Sequence, residues 1–377
     1  MLSAKLLGNP YTFLHIINPE FHKEDKTKPN SIGRFLKVRQ KFVEFFENDI
    51  FMQEESEAFY VYKQSTPFHQ FLGFIGGADL TEYENGKIKK HEETLTAREK
   101  TFTQYLDIVK FNAEPVLLFH KDNSDIEKLL IKLSSKRPEY EYTTTDEVKH
   151  ELWVVKKPAQ VEKVKEVFGT LNETYIADGH HRCASSYRYY KDIGGQSTAN
   201  QHALAYFISE SRLNIMDFNR VVSDLNGHSI ESFIEAIKKN FKVTKSRKKS
   251  PSPTKAGEIS MYLDQSWYLL NPNEENIDHN HPVESLDTRL LTRFLLEPIL
   301  DIHDLKTDER ISFISGDRGI KGLKKAVDKG SAMVAFGLFP VSPKQLIDVA
   351  DANLIMPPKS TWIEPKLRSG LTIYPLD

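Results

Sequence analysis

Aromatic and β-branched residues dominate two stretches early in the chain, AFYVYKQ at 58–64 and QFLGFIGGADL at 70–80. Only a few residues separate them, so the pair predicts a β-hairpin. A third stretch, PYTFLHIINPE at 10–20, is bounded by prolines and predicts a short strand. Compact apolar runs further along predict buried strands: EPVLLFH, HELWVVK, ETYIA and ALAYFIS.

Helical periodicity marks the stretches between these strands. Thr96 and Glu99 have the spacing of a capping box, which predicts a helix that ends near residue 112. DNSDIEKLLIKLSSK at 122–136 predicts a second helix, and a third is expected directly after ETYIA. The dipeptide Asn85-Gly86 predicts a tight turn before the first of these helices.

The second half of the chain alternates between helical and strand patterns. SIESFIEAIKKNF predicts an amphipathic helix capped by Ser229, and KSRKKSPSPTKAGE predicts a loop. SLDTRLLTRFLLEPIL predicts a buried helix. Four segments then predict strand, helix, strand and helix in turn: ISFISG, GIKGLKKAVDKG, SAMVAFGLFPV and SPKQLIDVADAN. The whole pattern predicts an α+β protein with a second α/β domain.

Length and composition narrow the class of protein. At 377 residues the chain exceeds the usual size of one hydrophobic core, so two domains are expected, at 1–212 and 213–377. Lys and Arg total 51 against 53 Asp and Glu, which argues against a general nucleic-acid binder. Cys183 is the one cysteine, and no apolar run has the length of a membrane span. We therefore expect a cytoplasmic protein.

The most chemically suggestive run is Asp-Gly-His-His-Arg at 178–182, between a predicted strand and a predicted helix. Backbone N–H groups at a helix start and the helix dipole form an anion site. Gly179 would let the backbone approach a ligand closely, and Arg182 would offer donors to phosphate oxygens. Asp178 would repel a phosphate, so it would hold Mg²⁺, orient a histidine or accept a proton.

Other interpretations stay open from the sequence. Asp178 could be a helix N-cap in a polar corner, or it could join the two histidines in a metal-dependent hydrolase. A second possible metal site is DHNHPVE, with Asp278, His279 and His281, although its flanks are typical of a loop. Glu92, within KKHEET, could be a general base or could offset the dipole of the following helix. No P-loop and no G-x-G-x-x-G stretch occurs.

Several segments occur in a fixed order: HEETLTAREK, YIADGHHRCAS, MDFNRVV, VESLD with LLEPIL, and PPKSTWIEPKLRSGL. This set resembles domain-of-unknown-function family 1015, which is associated with free serine kinases. The run at 178–182 resembles the phosphate-binding corner of kinases with a ParB/sulfiredoxin-like fold. The resemblance implies a mixed sheet of that type in the N-terminal half, with nucleotide bound at the corner.

The resemblance also implies roles for particular residues. Phosphates of ATP or ADP would be held by Gly179, His180, His181 and Arg182. Asp178 would contact Mg²⁺ or the reacting hydroxyl, with His180 beside it in the catalytic centre. Glu92 would accept the proton of free L-serine, which would become O-phosphoserine. Further phosphate or carboxylate contacts would come from three residues of the last segment, Lys359, Lys366 and Arg368.

Two further expectations accompany the resemblance. Family members usually carry a Pro-x-Tyr or Pro-Pro-Tyr-Asp-like segment upstream of the NPYTF stretch, and Met1 lies only a few residues before it. We therefore expect any ligand group from that segment to be missing. A homodimer is one assembly open to the protein. The alternative function is a non-catalytic nucleotide-binding regulator with a ParB-like clamp. No membrane or nucleic-acid partner is expected.

Overall fold

A computed structural model describes residues 8–21, 24, 26–194 and 198–377. The chain forms two compact units. The first contains the residues up to Lys89, Glu93–Leu213 and Pro365–Asp377, and the second contains Lys90–Glu92 and Asn214–Glu364. These units differ from the expected division at 1–212 and 213–377 in the short segments 90–92 and 365–377 and at residue 213. Both units contain helices. The main sheet of the first unit mixes parallel and antiparallel strands, and the strands of the second unit pair antiparallel, so the protein is of the α+β class.

Strands and helices of the first unit alternate along the chain. The strands are β1 (Phe59–Ser65), β2 (Gln70–Asp79), β3 (Ile88–Lys89), β4 (Phe111–Asn112), β5 (Val116–His120), β6 (Tyr140–Thr143), β7 (Lys149–Val155), β8 (Thr174–Asp178), β9 (His202–Ser209) and, near the chain end, β18 (Tyr374–Pro375). The helices are α1 (Leu14–Ile17), α2 (Ile32–Glu47), α3 (Leu80–Glu84), α4 (Thr96–Val109), α5 (Ser124–Leu133), α6 (Pro158–Phe168) and α7 (His180–Asp192).

An eight-stranded sheet organises this unit, in the order β3-β8-β5-β9-β2-β1-β7-β6. The predicted hairpin is confirmed, because β1 and β2 pair antiparallel with Tyr60 opposite Ile75. Strand β5 runs parallel to β9 and antiparallel to β8. A register irregularity between Leu117 and Leu118 lies opposite the end of β8. Such a bulge re-aims side chains locally, and here it lies beside Asp178.

The predicted strand at 10–20 is wrong, since Leu14–Ile17 form the short helix α1. The amides of Ile16 and Ile17 both donate to the carbonyl of Phe13, so the backbone groups are satisfied locally. Ile16 is fully buried in a cluster of aromatic residues on α2 and β4. Periodicity over so few residues cannot separate a buried helical turn from a strand.

Helix α4 forms where it was predicted, but its cap differs. The helix begins at Thr96 after Leu95, and no side chain caps its N-terminus. Thr94, two residues earlier, hydrogen-bonds to Glu99 through its hydroxyl. On this helix Phe102 is exposed, whereas Thr103 and Leu106 are buried. The predicted helix was therefore confirmed, and its capping box was not.

The second unit is built on a six-stranded sheet in the order β12-β14-β13-β16-β11-β15. The strands of this unit are β10 (Asn214–Met216), β11 (Phe218–Val222), β12 (Phe241–Lys245), β13 (Ile259–Leu263), β14 (Ser266–Pro272), β15 (Ile311–Ser315), β16 (Val334–Gly337) and β17 (Trp362–Glu364). Strands β10 and β17 form a separate two-stranded sheet. The helices of this unit are α8 (Ile230–Ile237), α9 (Asp287–Leu291), α10 (Gly319–Asp328) and α11 (Pro343–Asp351). The predicted strand–helix alternation at the end of this unit is confirmed.

The buried segment at 285–300 is an α-helix only in part. After α9 the chain continues as one π-helical stretch, Thr292–Leu296. The Thr292 hydroxyl donates to the Thr288 carbonyl at 2.8 Å, and the amide of Glu297 donates to Thr292 five residues back at 3.0 Å. Pro298 follows and has no N–H to continue the ladder. Within the residues that the structure describes, no helix is long and apolar enough to cross a membrane.

Candidate functional site

The run at 178–182 forms a sharp strand-to-helix corner in the first unit. Strand β8 ends at Asp178, and α7 begins at His180. Gly179 lies between them with φ of 98°, in the left-handed region. The first backbone bond of the helix runs from Cys183 N to Gly179 O at 3.0 Å. Gly179 is therefore the N-cap, and the interpretation of Asp178 as N-cap is wrong.

Arg182 fastens this corner to the neighbouring strand. Its Nη2 donates to Oδ2 of Asp178 at 2.9 Å. Its Nη1 donates to the carbonyl of Pro115 at 2.7 Å and lies 2.9 Å from Oε1 of Glu114. The last two residues directly precede β5. The guanidinium thus joins the start of β5, the end of β8 and the first turn of α7.

Gly179 is required at this corner for two reasons. Its positive φ is costly for any residue with a Cβ. A Cβ built on it would also lie 3.0 Å from both Nε and Nη2 of Arg182. The guanidinium therefore packs against the bare backbone of the glycine.

Lys366 brings a second cation to Asp178. It belongs to Pro365–Asp377, the segment that returns to the first unit. Its Nζ lies 3.5 Å from Oδ1 of Asp178. Each carboxylate oxygen of Asp178 thus faces one cation, Arg182 or Lys366. Of the residues predicted from the last segment, Lys366 is brought to the corner, and Arg368 pairs with Asp146 instead.

The two histidines of the corner differ in exposure. His180 is 4% exposed and His181 is partly exposed. The His181 carbonyl accepts a 2.6 Å hydrogen bond from the Ser185 hydroxyl, one turn later. Ser185 is itself fully buried, and its carbonyl accepts from Thr103 of α4 at 3.4 Å. The start of α7 is thus anchored in the interior of the unit.

Glu92 and Lys359 belong to the second unit. The amide of Met356 donates to the carbonyl of His91 at 2.9 Å, which ties residues 90–92 to the segment that carries Lys359. His91 is 1% exposed, and burial lowers its pKa to about 4. The neighbouring Glu92 is exposed.

Lys359 occupies a turn in the PPKSTW segment. Its φ of 59° is left-handed, and its Nζ lies 5.5 Å from the centre of the Phe218 ring. The buried hydroxyl of Ser360 donates to the Pro357 carbonyl at 2.7 Å and so closes the turn. The turn therefore holds a lysine against an aromatic face of β11, which is a cation–π arrangement.

The second possible metal site at 278–284 is an ordinary loop. Nδ1 of His281 accepts the backbone N–H groups of Val283 and Glu284, each at 3.2 Å. His279 is exposed and pairs with Glu274 at 2.7 Å. A ring nitrogen that accepts backbone hydrogen bonds is not presented as a metal ligand. The two histidines of this stretch therefore find hydrogen-bond partners nearby in the sequence.

Sequence reasoning missed Glu114 and Pro115, the partners of Arg182 outside its own run. Pro115 and Arg182 are 67 positions apart, and no local pattern links them. Only the strand order, with β5 beside β8, brings them together. A strand that begins after proline was recognised, but its neighbour in the sheet was not.

The chain is similar to one protein family and to several solved structures. A family model described as "Protein of unknown function (DUF1015)" matches residues 2–289. A free serine kinase mutant in complex with AMP is 12% identical, covers 80% of this chain and 92% of its own, and gives a TM-score of 0.41. Another free serine kinase mutant, in complex with ADP, is 12% identical, covers 80% of this chain and 92% of its own, and gives a TM-score of 0.40. SbnI from Staphylococcus aureus, with a C-terminal truncation, is 12% identical, covers 80% of this chain and 87% of its own, and gives a TM-score of 0.41. No curated protein sequence matches the chain.

Proposed function

The chain belongs to the DUF1015 family, and from that premise we propose that it is a free serine kinase. It transfers a phosphoryl group from ATP or ADP to the hydroxyl of L-serine and gives O-phosphoserine. The observation that carries this proposal is the corner at Gly179. There a strand ends, a bare backbone turns through a positive φ, and a helix of 13 residues begins. Such a corner suits a nucleotide phosphate.

The corner also has the charge balance that a phosphate site needs. Asp178 is neutralised by Arg182 and Lys366, so it does not repel an anion as an isolated carboxylate would. Lys366 is about half exposed and its long side chain can reach a phosphate above the corner. We propose that Lys366, the helix start and the two histidines contact the phosphates.

We propose a different role for Arg182 from the phosphate contact that the sequence suggested. Both of its terminal nitrogens already donate to protein oxygens, those of Asp178 and Pro115. We propose that Arg182 is a positioning residue that keeps Gly179 and the helix start in place. Its effect on nucleotide binding is then transmitted through the backbone.

The residues fit a phosphate better than they fit Mg²⁺ at Asp178. Each oxygen of that carboxylate already faces a cation, and a metal ion there would have to displace Lys366. Mg²⁺ would supply charge neutralisation on the phosphates when bound. Asp178 as its ligand stays a prediction.

The proposed reaction needs a base and a positioned donor. Glu92 accepts the proton of the serine hydroxyl, whose oxygen then forms a bond to the terminal phosphorus of ATP or ADP. The bond from that phosphorus to the bridging oxygen breaks, and ADP or AMP leaves. His180 donates a hydrogen bond to the transferred group, and Lys359 contacts phosphate or the serine carboxylate. Most of the rate gain in such transfers comes from positioning and charge neutralisation.

The direct test is product formation by the full chain. The protein is incubated with Mg²⁺, L-serine and either ATP or ADP, and phosphoserine is measured by phosphorus NMR. We expect phosphoserine with one nucleotide or both, with stoichiometric ADP or AMP. Nucleotide binding without turnover would support the clamp-like regulator instead. A transition metal that copurifies in stoichiometric amount and is required for activity would support a hydrolase.

A further inference from the structure

A second concave site lies in the first unit and shares no residue with the corner at 178–182. It is a cavity of about 920 Å³ between α2, strands β1, β6 and β7, and the chain at 370–373. Cavities of this size hold small molecules. Its walls are mainly apolar and include six aromatic side chains, of which Phe46 and Tyr140 are each more than 40% exposed.

The aromatic walls are held in place from behind. The Tyr142 ring stacks on His150 at 4.7 Å and 14°, and Nδ1 of His150 lies 2.6 Å from the Tyr62 hydroxyl. On the opposite wall, Phe42 stacks on Phe111 at 4.3 Å and 27°. Walls that are already ordered lose little entropy when a ligand binds between them.

One polar group lines the cavity without a partner. Thr372 is 8% exposed, and its Oγ1 has no hydrogen-bond partner among the residues that the structure describes. Buried hydroxyl groups are normally hydrogen-bonded, because an unmet one costs free energy. The unmet hydroxyl therefore points to a ligand with a polar group at this wall.

The charges around the cavity are mainly acidic. Among the described residues that line the cavity, Arg39 is the basic one. Its guanidinium pairs with Asp377 at 2.7 Å and donates to the Val109 carbonyl at 3.0 Å. Glu47 and Glu54 add two further carboxylates, of which Glu54 pairs with Lys156 at 3.1 Å. An anionic ligand is therefore disfavoured, and a cation beside aromatic rings is favoured.

We propose that this cavity binds an aromatic small molecule that carries a neutral hydroxyl or a cationic amine and no anionic group. The rings enclose the aromatic body, and the polar group reaches Thr372. This site is separate from the proposed nucleotide site, which requires an anion. It does not depend on the proposed kinase activity.

A matched series of naphthalene probes tests the proposal by calorimetric titration of the full chain. The probes are 1-naphthalenemethanol, 1-naphthylmethylamine and 1-naphthaleneacetate, which share one ring system and differ in charge. The alcohol and the amine are expected to bind about tenfold more tightly than the acetate. Equal affinity for all three probes, or no binding of any, would overturn the proposal.

Variants locate the binding. Val43→Trp fills the cavity from α2 and should abolish binding, whereas Thr372→Val should weaken the alcohol about fivefold. Phe46→Ala, which thins one wall, gives a second reading should Val43→Trp not fold. Phe68→Ala is the control, because Phe68 is 88% exposed and does not line the cavity.

Two further outcomes would contradict the inference. Displacement of the bound probe by AMP would make the cavity part of the nucleotide site. Unchanged probe affinity in both Val43→Trp and Phe46→Ala would place binding elsewhere on the protein.

Discussion

The Arg182 guanidinium donates to the Asp178 carboxylate at 2.9 Å, across one turn at the start of α7. The same guanidinium reaches the Pro115 carbonyl at 2.7 Å on the adjacent strand segment. One side chain thus fixes the geometry of a corner whose other members contribute backbone. In the proposed nucleotide site, affinity would therefore depend on a residue that need not touch the ligand.

Replacing Arg182 should therefore weaken binding and stability together. Arg182→Ala leaves the Pro115 carbonyl without this donor and Asp178 with Lys366 as its remaining cation, so the free energy of unfolding should fall by about 1–3 kcal/mol. ADP affinity should fall more in Arg182→Ala than in Arg182→Lys. Calorimetric titration and chemical denaturation measure the two effects. Arg188→Ala, on the same helix with only 3.8 and 3.9 Å ion pairs, is the control and should change neither.

Gly179→Ala should destabilise the fold more than the same substitution at a glycine that has a positive φ and no close neighbour. Its Cβ would lie 3.0 Å from Arg182, whereas Gly227, with φ of 77°, has open space around its Cβ position. Gly179→Ala should cost roughly 1–3 kcal/mol more than Gly227→Ala. Urea denaturation of the two variants measures the difference. Equal losses would mean that close packing against Arg182 has no energetic role.

Lys366 should matter for nucleotide binding and little for stability. Lys366→Met keeps the length of the side chain and removes its charge, so ADP affinity should fall roughly tenfold. The unfolding free energy should change by less than about 1 kcal/mol, because the pair with Asp178 is half exposed. Lys344→Met is the control, since Lys344 is 80% exposed on α11. Identical ADP affinities for the two variants would remove Lys366 from the site.

Acid should destabilise the fold through His91. Burial lowers the pKa of His91 to about 4 from its usual 6.5, so between these values the unfolded chain binds the proton and the folded chain does not. Stability therefore falls as pH decreases from 6.5 to 4, by about 3 kcal/mol for this residue. His91→Gln should flatten that part of the profile, and His303→Gln, with a side chain 70% exposed, should not. Parallel profiles for all three proteins would contradict the assignment.

Sequence patterns were sufficient where one face of an element is buried and regular. The hairpin β1–β2, the capped helix after Ser229 and the strand–helix order of the second unit all follow from alternation or capping chemistry. They were insufficient at α1, where four residues carry too little periodicity. The π-helical stretch after Leu291 also had no signal, because it depends on a threonine hydroxyl and a following proline.

The corner was predictable in outline and not in its contacts. Asp-Gly-His-His-Arg after an apolar strand indicated a strand-to-helix turn with an anion-binding end, and Gly179 has the predicted freedom. The ties from Arg182 to Pro115 and from Lys366 to Asp178 span 67 and 188 positions. Such contacts depend on strand order and on the return of the last segment, which a single sequence does not encode locally.

The most direct test of the account is phosphoserine formation by the wild-type protein and by Glu92→Gln, each saturated with ADP or ATP and with L-serine. We predict phosphoserine from the wild type and from the control Glu93→Gln. Glu92→Gln should bind nucleotide with unchanged affinity and lose turnover by a factor of about 10²–10⁴. A wild-type protein that binds either nucleotide and forms no phosphoserine from it would contradict the kinase. Full turnover in Glu92→Gln would contradict the assignment of the base.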